Sequence, residues 1–522
     1  MSTLRPLPIP SSRWHGGRRY VAGALMVAAT FAAGIFLIPG VGVLAPPALT
    51  AQNLHQDPDV ARFFADTFPS GNPALMARTS ERIPHLLDAA RTRIARDFAE
   101  RPPVHRLLLH TLAEVCLNLS YYEGTQRALA DSAALATAHR MGDADADAQH
   151  ALLRARLAVE TGRASAALAE LDSFLGNHVS TPISPEQMVY LRLQRLRALE
   201  DSGRGRQARP QAEALLADTE KHLGTQSLAA ARVGVLTARL RSAASEHAAA
   251  RTLVERSVYQ LRRHFGETHP ELAQALLAAG MVEYHDGQRV RALALGNAAA
   301  EILERMADRQ TRRLHLIQRN LGILNAQAGN HAAAERYLRE ALATARAIHA
   351  PEHPDVAASI YNLAYFDWRV LHNPGEAMPL MREALALGEK SWGPMHPDTS
   401  ALRVNLARVF NELQLFDATR ELLTDRLPTM ETPVCAVGTR IELARALAQS
   451  GDIPAARPLL AQARENMERV SKQSQKQLES DFRDVQSIVN ATLSVNKLAL
   501  EPRNASRKVV GDEGLALPGH AH

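Results

Sequence analysis

Three histidines at the head of a repeated motif are the first residues to consider for chemistry. The copies are Thr268-His269-Pro270-Glu271, Glu352-His353-Pro354-Asp355 and Met395-His396-Pro397-Asp398. Ligands of one metal ion must converge on a point, usually from close spacings such as i, i+4. These histidines lie 84 and 43 residues apart, so no metal site is predicted. Proline at the first helical position, with an acid beside the helix N-terminus, gives the motif a structural interpretation.

The motif belongs to a repeat with a period of about 42 residues, which must position any functional side chain. An Asn-Leu-Ala or Asn-Leu-Gly mark follows the proline position, beginning at Asn320, Asn362 and Asn405. Small residues recur with spacings of 12 and then 7, as in Gly322, Ala334 and Ala341. Antiparallel helices approach closely only where side chains are small. The pattern therefore predicts about nine stacked helix pairs between residues 106 and 463.

These marks resemble the tetratricopeptide repeat, in its longer, kinesin-light-chain type. The resemblance implies an all-α, right-handed α-solenoid with a concave face that binds protein or peptide. Residues 464–495 are predicted as a polar C-terminal capping helix, because an open-ended solenoid needs a polar last element. Residues 496–522 show little periodicity and are predicted to be disordered.

The resemblance also gives the asparagines a role in binding. In repeats of this type the corresponding Asn faces the concave groove, where its amide could hydrogen-bond the backbone of an extended peptide. Asn320, Asn362 and Asn405 are therefore candidate partner-binding residues, and Arg403 and Arg408 could add charge to the same groove. The alternative is that these amides bond to a neighbouring helix.

No enzyme motif accompanies the repeats. The two cysteines, Cys116 and Cys435, fall in the first and about the ninth predicted pair, so no disulfide is expected. Cys116 lies among leucines and is interpreted as a small buried hydrophobe. The sequence has no Gly-x-Ser-x-Gly elbow and no kinase motif. We therefore expect neither catalysis nor a cofactor.

The N-terminus predicts attachment to a membrane. Residues 1–20 are basic and carry no acid, and residues 21–44 are uncharged, about the ~20 residues that span a bilayer. A retained helix would place the repeats outside the cytoplasm at a bacterial inner membrane. The alternative is a cleaved signal peptide, ending near Ala51, that releases a periplasmic binding protein.

Residues 45–58 are predicted to be a linker, and residues 59–105 a helical adaptor. This order resembles the extracytoplasmic part of certain bacterial serine/threonine protein kinases, although the kinase domain that would precede the membrane segment is absent. A further alternative is therefore the sensor portion of a kinase system whose catalytic part is on another chain or was lost.

Charge argues against nucleic acid as the partner. The net charge is only +5, from 60 basic and 55 acidic residues, whereas nucleic-acid binding needs a basic stripe. The one local basic run, residues 204–209, falls in a predicted turn. The predicted function is a membrane-anchored scaffold or sensor that recognises a protein or peptide.

Overall fold

A computed structural model describes residues 59–60, 63, 83–177, 183–304, 312–425, 433–470 and 472–500. All regular elements of these residues are helices, as predicted. In chain order they are α1 Ile83–Asp97, α2 Pro102–Asn118, α3 Tyr122–Ala138, α4 Ala144–Glu160, α5 Ala164–Asn177, α6 Pro185–Asp201, α7 Gly205–Leu223, α8 Leu228–Ala243, α9 His247–Phe265, α10 Pro270–His285, α11 Arg289–Glu304, α12 Arg312–Gln327, α13 His331–Ile348, α14 Pro354–Arg369, α15 Pro374–Ser391, α16 Pro397–Glu412, α17 Phe416–Leu423, α18 Pro433–Gln449, α19 Ile453–Met467 and α20 Lys472–Leu500.

The helices from α2 to α19 form nine successive pairs within the described residues. We call the first helix of each pair an A helix and the second a B helix. The chain divides into two compact units. The first ends at Leu402 and the second begins at Arg403, so the boundary lies inside α16. In the first unit each A helix packs against its own B helix and also against the next A helix.

The His-Pro motif starts helices, and its histidine takes part directly. Proline occupies the first turn of α10 and α14, where its missing N–H costs nothing. In all three copies the histidine Nδ1 accepts a hydrogen bond from the backbone N–H two residues later, at 3.2 Å in His269, 3.0 Å in His353 and 3.2 Å in His396. The ring therefore caps the helix, a role that the sequence analysis had given only to the proline and the acid.

Small residues allow close packing within the pairs, as predicted. Ala334 and Ala341 are fully buried. A Cβ added to Gly322 would lie 2.6 Å from Leu338 Cγ and 3.3 Å from the Leu338 backbone nitrogen. A side chain at this position would therefore force α12 away from α13.

The helix array of the first unit returns on itself after five pairs. Ser120 Oγ, beyond the end of α2, accepts the backbone N–H of Arg312 at the start of α12, at 3.2 Å. His353 Nε2, at the start of α14, lies 3.0 Å from the carbonyl oxygen of Glu160, the last residue of α4. A third contact joins the end of α6 to the start of α16. Each contact brings the negative end of one A helix to the positive end of another, a favourable arrangement of helix dipoles.

The second unit ends in the predicted polar helix, which begins at residue 472 rather than at residue 464. Residues 464–467 belong to α19, and α20 runs over residues 472–500. The side-chain amide of Gln475 donates to the carbonyl oxygens of Met467 and Val470, both at 2.9 Å. These bonds satisfy carbonyl groups at the end of α19, so the chain can turn before the next helix begins.

Residues 1–58 lie outside the described residues, as do residues 501–522. The predicted membrane segment, the linker and most of the predicted tail therefore have no structural counterpart here. Among the helices of the described ranges, none has both the length and the apolar character needed to cross a bilayer. In the adaptor, Phe63 packs edge-on against Phe98, with ring centroids 5.9 Å apart.

Candidate functional site

The A helices of the first unit form a continuous layer from α2 to α14, and arginines cluster on it. Arg156, Arg197 and Arg239 occupy equivalent positions on α4, α6 and α8, at spacings of 41 and 42 residues. Arg313 and Arg319 lie on α12, where Arg313 is acted on by the charge of Arg156 and Arg319 by that of Arg239. We call these five residues the arginine ring.

Two members of the ring have a carboxylate partner within hydrogen-bond distance on a neighbouring A helix. Arg156 Nη1 lies 2.9 Å from Glu114 Oε1, and both side chains are largely buried. Arg239 Nη2 lies 3.0 Å from Glu200 Oε1, but 46% of the arginine side chain is exposed. An ion pair this open to solvent is weak and can be exchanged for another.

The other three members are less completely neutralised. Arg313 Nη2 donates to the neutral oxygen of Asn118 at 3.1 Å, and Arg319 Nη1 is 3.9 Å from Asp355 Oδ1. Arg197 is exposed, and no carboxylate of the described residues lies within the 4.0 Å that defines a salt bridge. Arg197 and Arg313 therefore have no salt bridge within the described residues, although the charge of Glu271 acts on both of them.

The lowered pKa values of three of these arginines show that the surrounding protein keeps water away from their guanidinium groups. Loss of hydration, followed by the like charges of Arg156 and Arg239, lowers the pKa of Arg197 to about 10. Loss of hydration also lowers the pKa of Arg313 and of Arg319. Arg197 thus reaches solvent while protein closely surrounds it. A site of low dielectric strengthens the attraction for an added anion.

The candidate asparagines of the first unit have available amides. Asn320 lies on α12 and Asn362 on α14, and both are half-buried. Within the described residues, neither side chain has a hydrogen-bond partner, so the alternative of bonding to a neighbouring helix gains no support for these two residues.

The other three candidates lie in the second unit and have other contacts. Arg403 is buried, with 2% of its surface exposed, which argues against direct contact with a partner. Arg408 donates to Glu442 Oε1 at 3.1 Å, to Asp481 Oδ2 at 2.7 Å and to Asn405 Oδ1 at 3.3 Å. The binding role of these residues stays a prediction.

A serine, a histidine and an aspartate meet between α12 and α14. Ser359 Oγ lies 2.8 Å from His315 Nε2, but His315 Nδ1 lies 3.9 Å from Asp355 Oδ2, beyond hydrogen-bond distance. All three are buried, and burial lowers the pKa of His315 to about 3. A substrate cannot reach this serine and the imidazole is a poor base, so the group is a packing cluster. It escaped detection because it forms between two A helices, 44 residues apart.

The same aspartate belongs to a group with the composition of a metal site. His315, His349 and Asp355 offer three ligand atoms within 4.8 Å of one another. However, Arg312 Nε donates to Asp355 Oδ2 at 2.7 Å and Arg319 lies 3.9 Å from Oδ1. Despite its burial, Asp355 has a pKa held well below the ordinary value, chiefly by Arg312. Two guanidinium groups already compensate this carboxylate, so a divalent cation here would meet strong repulsion.

The two cysteines are both buried, and they form no disulfide with each other. Burial raises the pKa of Cys116 to about 12. A thiol this hard to ionise is neither a nucleophile nor a metal ligand at neutral pH.

Comparison with known proteins identifies one segment of the array. Residues 313–365 match the sequence model of the tetratricopeptide repeat family. No curated protein matches the chain.

Solved structures give three distant likenesses. One is a Rap protein complexed with competence and sporulation factor, with 15% identity over 66% of this chain and 99% of the other, and a TM-score of 0.44. Another is NprR in complex with its cognate peptide NprX, with 15% identity over 69% and 99% of the two chains and a TM-score of 0.46. The third is a Podosopora anserina putative kinesin light chain with nearly identical TPR-like repeats, with 19% identity over 40% and 99% and a TM-score of 0.32. At these values the likenesses carry no function to this chain.

The matched segment covers α12, α13 and most of α14. These helices contain the closely packed small residues and the capping histidine that recur in other pairs. Helices α12 to α14 are therefore a tetratricopeptide repeat segment.

Proposed function

We propose that this chain is a non-catalytic scaffold or sensor whose A helices bind a protein or peptide partner. The binding surface is the A-helix layer of the first unit, including Asn320, Asn362 and the arginine ring.

The observation that carries the proposal is the pair of unpartnered amides on adjacent A helices. Asn320 and Asn362 lie at equivalent positions 42 residues apart, on α12 and α14, which contact each other. Neither amide is among the buried polar atoms that lack a partner, so both reach solvent and can exchange water for a ligand. A peptide backbone offers both an N–H donor and a C=O acceptor, which together match one side-chain amide.

The surrounding structure suits a preformed site. The contacts between α2 and α12 and between α4 and α14 fix the A helices relative to one another over five pairs. A surface held in this way loses little conformational entropy when a ligand binds. The confined arginines add charge to the same layer.

A crosslinking experiment tests the proposal. A photoreactive amino acid replacing Asn362 should capture a specific partner in living cells, because the position is half-buried on the A-helix layer. The matched control replaces Arg382, which is exposed on the B helix α15. Captured proteins are identified by mass spectrometry.

Capture of one protein from position 362 but not from 382 would support the proposal. Capture of a serine/threonine kinase would favour the sensor of a kinase system. No capture from 362, or the same abundant proteins from both positions, would contradict binding at the A-helix layer.

We further propose that residues 21–44 hold the chain in a bacterial inner membrane, with the repeats outside the cytoplasm. The support is the basic flank and the uncharged segment of the sequence. Alkaline phosphatase fused to the C-terminus should be active, and deletion of residues 21–44 should remove the chain from the membrane fraction. An inactive fusion would contradict the orientation, and a mature N-terminus near Ala51 would favour the released periplasmic form instead.

A further inference from the structure

We propose that the first unit opens and closes where pairs five repeats apart meet, that His353 is the latch of this contact, and that mild acid opens it. We call the contact the seam, and it joins the ends of α2, α4 and α6 to the starts of α12, α14 and α16. The inference concerns the shape of the A-helix layer rather than its ligand, so it goes beyond the proposed function and does not depend on it.

The seam is narrow, because its two sides meet at helix ends. Neighbouring pairs pack along their helices, whereas no two helices across the seam make a comparably broad contact in the described residues. Polar groups form much of the contact. Asn118 Oδ1 accepts a hydrogen bond from Arg313 Nη2 at 3.1 Å, and Arg312 Nη1 lies 3.5 Å from Glu160 Oε2. Water replaces such partners at a modest net cost, so the seam can open without unfolding the pairs on either side.

One helix obtains its N-terminal cap across the seam. Helices α10, α14 and α16 each begin with the His-Pro motif, but α12 begins at Arg312 without it. The hydroxyl of Ser120 accepts the first backbone N–H of α12. A serine oxygen is a preferred acceptor at a helix N-terminus, so this contact replaces the cap that the motif provides elsewhere. Closure of the seam therefore stabilises α12.

Closure also has a cost, which keeps the open form accessible. A Cβ on Gly203 would lie 3.0 Å from His396 Nε2, which places this nitrogen at the seam. His396 Nε2 and His349 Nδ1 are buried and have no hydrogen-bond partner among the described residues. Opening the seam would let water satisfy both nitrogens, whereas a buried polar atom left unpaired costs free energy.

His353 is the part of the seam that responds to a proton. Its Nδ1 accepts a hydrogen bond from the backbone N–H of Asp355, and its Nε2 lies 3.0 Å from the carbonyl oxygen of Glu160. A neutral ring with its proton on Nε2 satisfies both contacts. A protonated ring carries an N–H on each nitrogen, so Nδ1 would then face another donor. The ring of His349 also stacks on His353, with centroids 3.6 Å apart, and leaves the imidazole little room to turn away.

Charged and titratable groups surround this imidazole on each neighbouring helix. They are Asp355 on α14, His349 at the end of α13, Arg312 and His315 on α12, Glu160 on α4 and Tyr122 on α3. Burial is the largest influence and lowers the pKa of His353 to about 4, opposed by Asp355 and reinforced by His349 and Arg312. Opening the seam exposes the ring to water, so its pKa returns toward the ordinary 6.5.

Closure weakens as the pH falls, because the open form binds a proton that the closed form does not. Above pH 6.5 the ring is neutral in both forms, and closure has its full strength. Between pH 6.5 and about pH 4 only the open form is protonated. The equilibrium constant for closing should therefore fall about tenfold per pH unit for this one histidine.

Double electron–electron resonance measures the seam directly. The full-length protein, in mild detergent, carries spin labels attached to p-acetylphenylalanine at positions 133 and 343, so the native cysteines stay in place. Ala133 on α3 and Ala343 on α13 are exposed and lie on opposite sides of the seam. The control labels replace Ala343 and Ala386, on the neighbouring B helices α13 and α15, with no seam between them. Far-UV circular dichroism follows the helix content at each pH.

We expect a longer distance between positions 133 and 343 to gain population by about tenfold per pH unit as the pH falls from 6.5 to 5. The control distance and the helix content should stay constant. His353→Gln should make the gain less steep by about one proton, because glutamine keeps a donor and an acceptor without titrating. His331→Gln, at the exposed start of α13, is the matched control and should respond like the wild type.

An unchanged distance across the seam at pH 5 would overturn the inference. So would a change that appears only together with loss of helix content, because the seam would then not open separately from unfolding. Equal responses of His353→Gln and the wild type would overturn the role of His353 as the latch. A matching change in the control distance would show that the whole array deforms and that the seam is not the moving part.

Discussion

The free energy of unfolding should fall by roughly 5 kcal/mol or more between pH 7 and pH 4.5, because three buried histidines are neutral in the folded chain. Burial is the first cause in each case. It lowers the pKa of His110 to about 3, of His315 to about 3 and of His353 to about 4, from an ordinary value of 6.5. The unfolded chain takes up protons below pH 6.5, whereas the folded chain resists them until about pH 3–4. Stability is therefore complete above pH 6.5 and lost as the pH falls toward 4.

Local structure explains why protonation is resisted. His353 Nδ1 accepts a hydrogen bond from the backbone N–H of Asp355 at 3.0 Å. Protonation of this nitrogen would break that bond, because its lone pair is already used. His110 Nε2 is 2.7 Å from Ser132 Oγ, inside the core of the first two pairs. Glu200 and Asp201 act in the opposite sense, because their raised pKa favours the folded state at low pH, but desolvated imidazoles outnumber them.

Urea unfolding at a series of pH values measures the effect. His353→Gln should make stability less dependent on pH by about one proton, since glutamine keeps a donor and an acceptor without titrating. His331→Gln is the control, because His331 is exposed at the start of α13. A flat profile between pH 7 and 4.5, or equal slopes in wild type and His353→Gln, would refute this account.

Replacing Gly162 by alanine should destabilise the first unit by about 1–3 kcal/mol more than the same change at Gly329. Both glycines follow an A helix and have positive φ, +76° and +80°, so the backbone strain of an alanine is shared. They differ in surroundings. A Cβ on Gly162 would overlap the ring of Pro354, with its Cγ at 2.8 Å, whereas nothing lies within 4 Å of a Cβ on Gly329.

Chemical denaturation of the two variants gives the comparison. The extra loss at Gly162 measures the contact between the end of α4 and the start of α14. Gly162→Ala should also lower the binding affinity of any ligand that contacts both α4 and α14. Equal losses in the two variants would show that the contact adds nothing to stability.

Much of the array was predictable because repeats restrict each position locally. The period, the small residues at Gly322, Ala334 and Ala341, and the proline helix starts follow from steric fit and from the missing N–H of proline. The number of helix pairs followed from the same marks. The capping role of His353 was missed, because a histidine cap depends on the χ angles of its ring rather than on residue type.

The sequence alone determined the helix-pair repeat and the candidate asparagines, since both are patterns within one period. Only the tertiary structure decided that pairs five repeats apart meet, that Arg403 is buried, and that Arg197 lies among other cations. These features depend on the small rotation between successive pairs. That rotation accumulates over about two hundred residues of chain, and no local pattern in the sequence encodes where the array returns to itself.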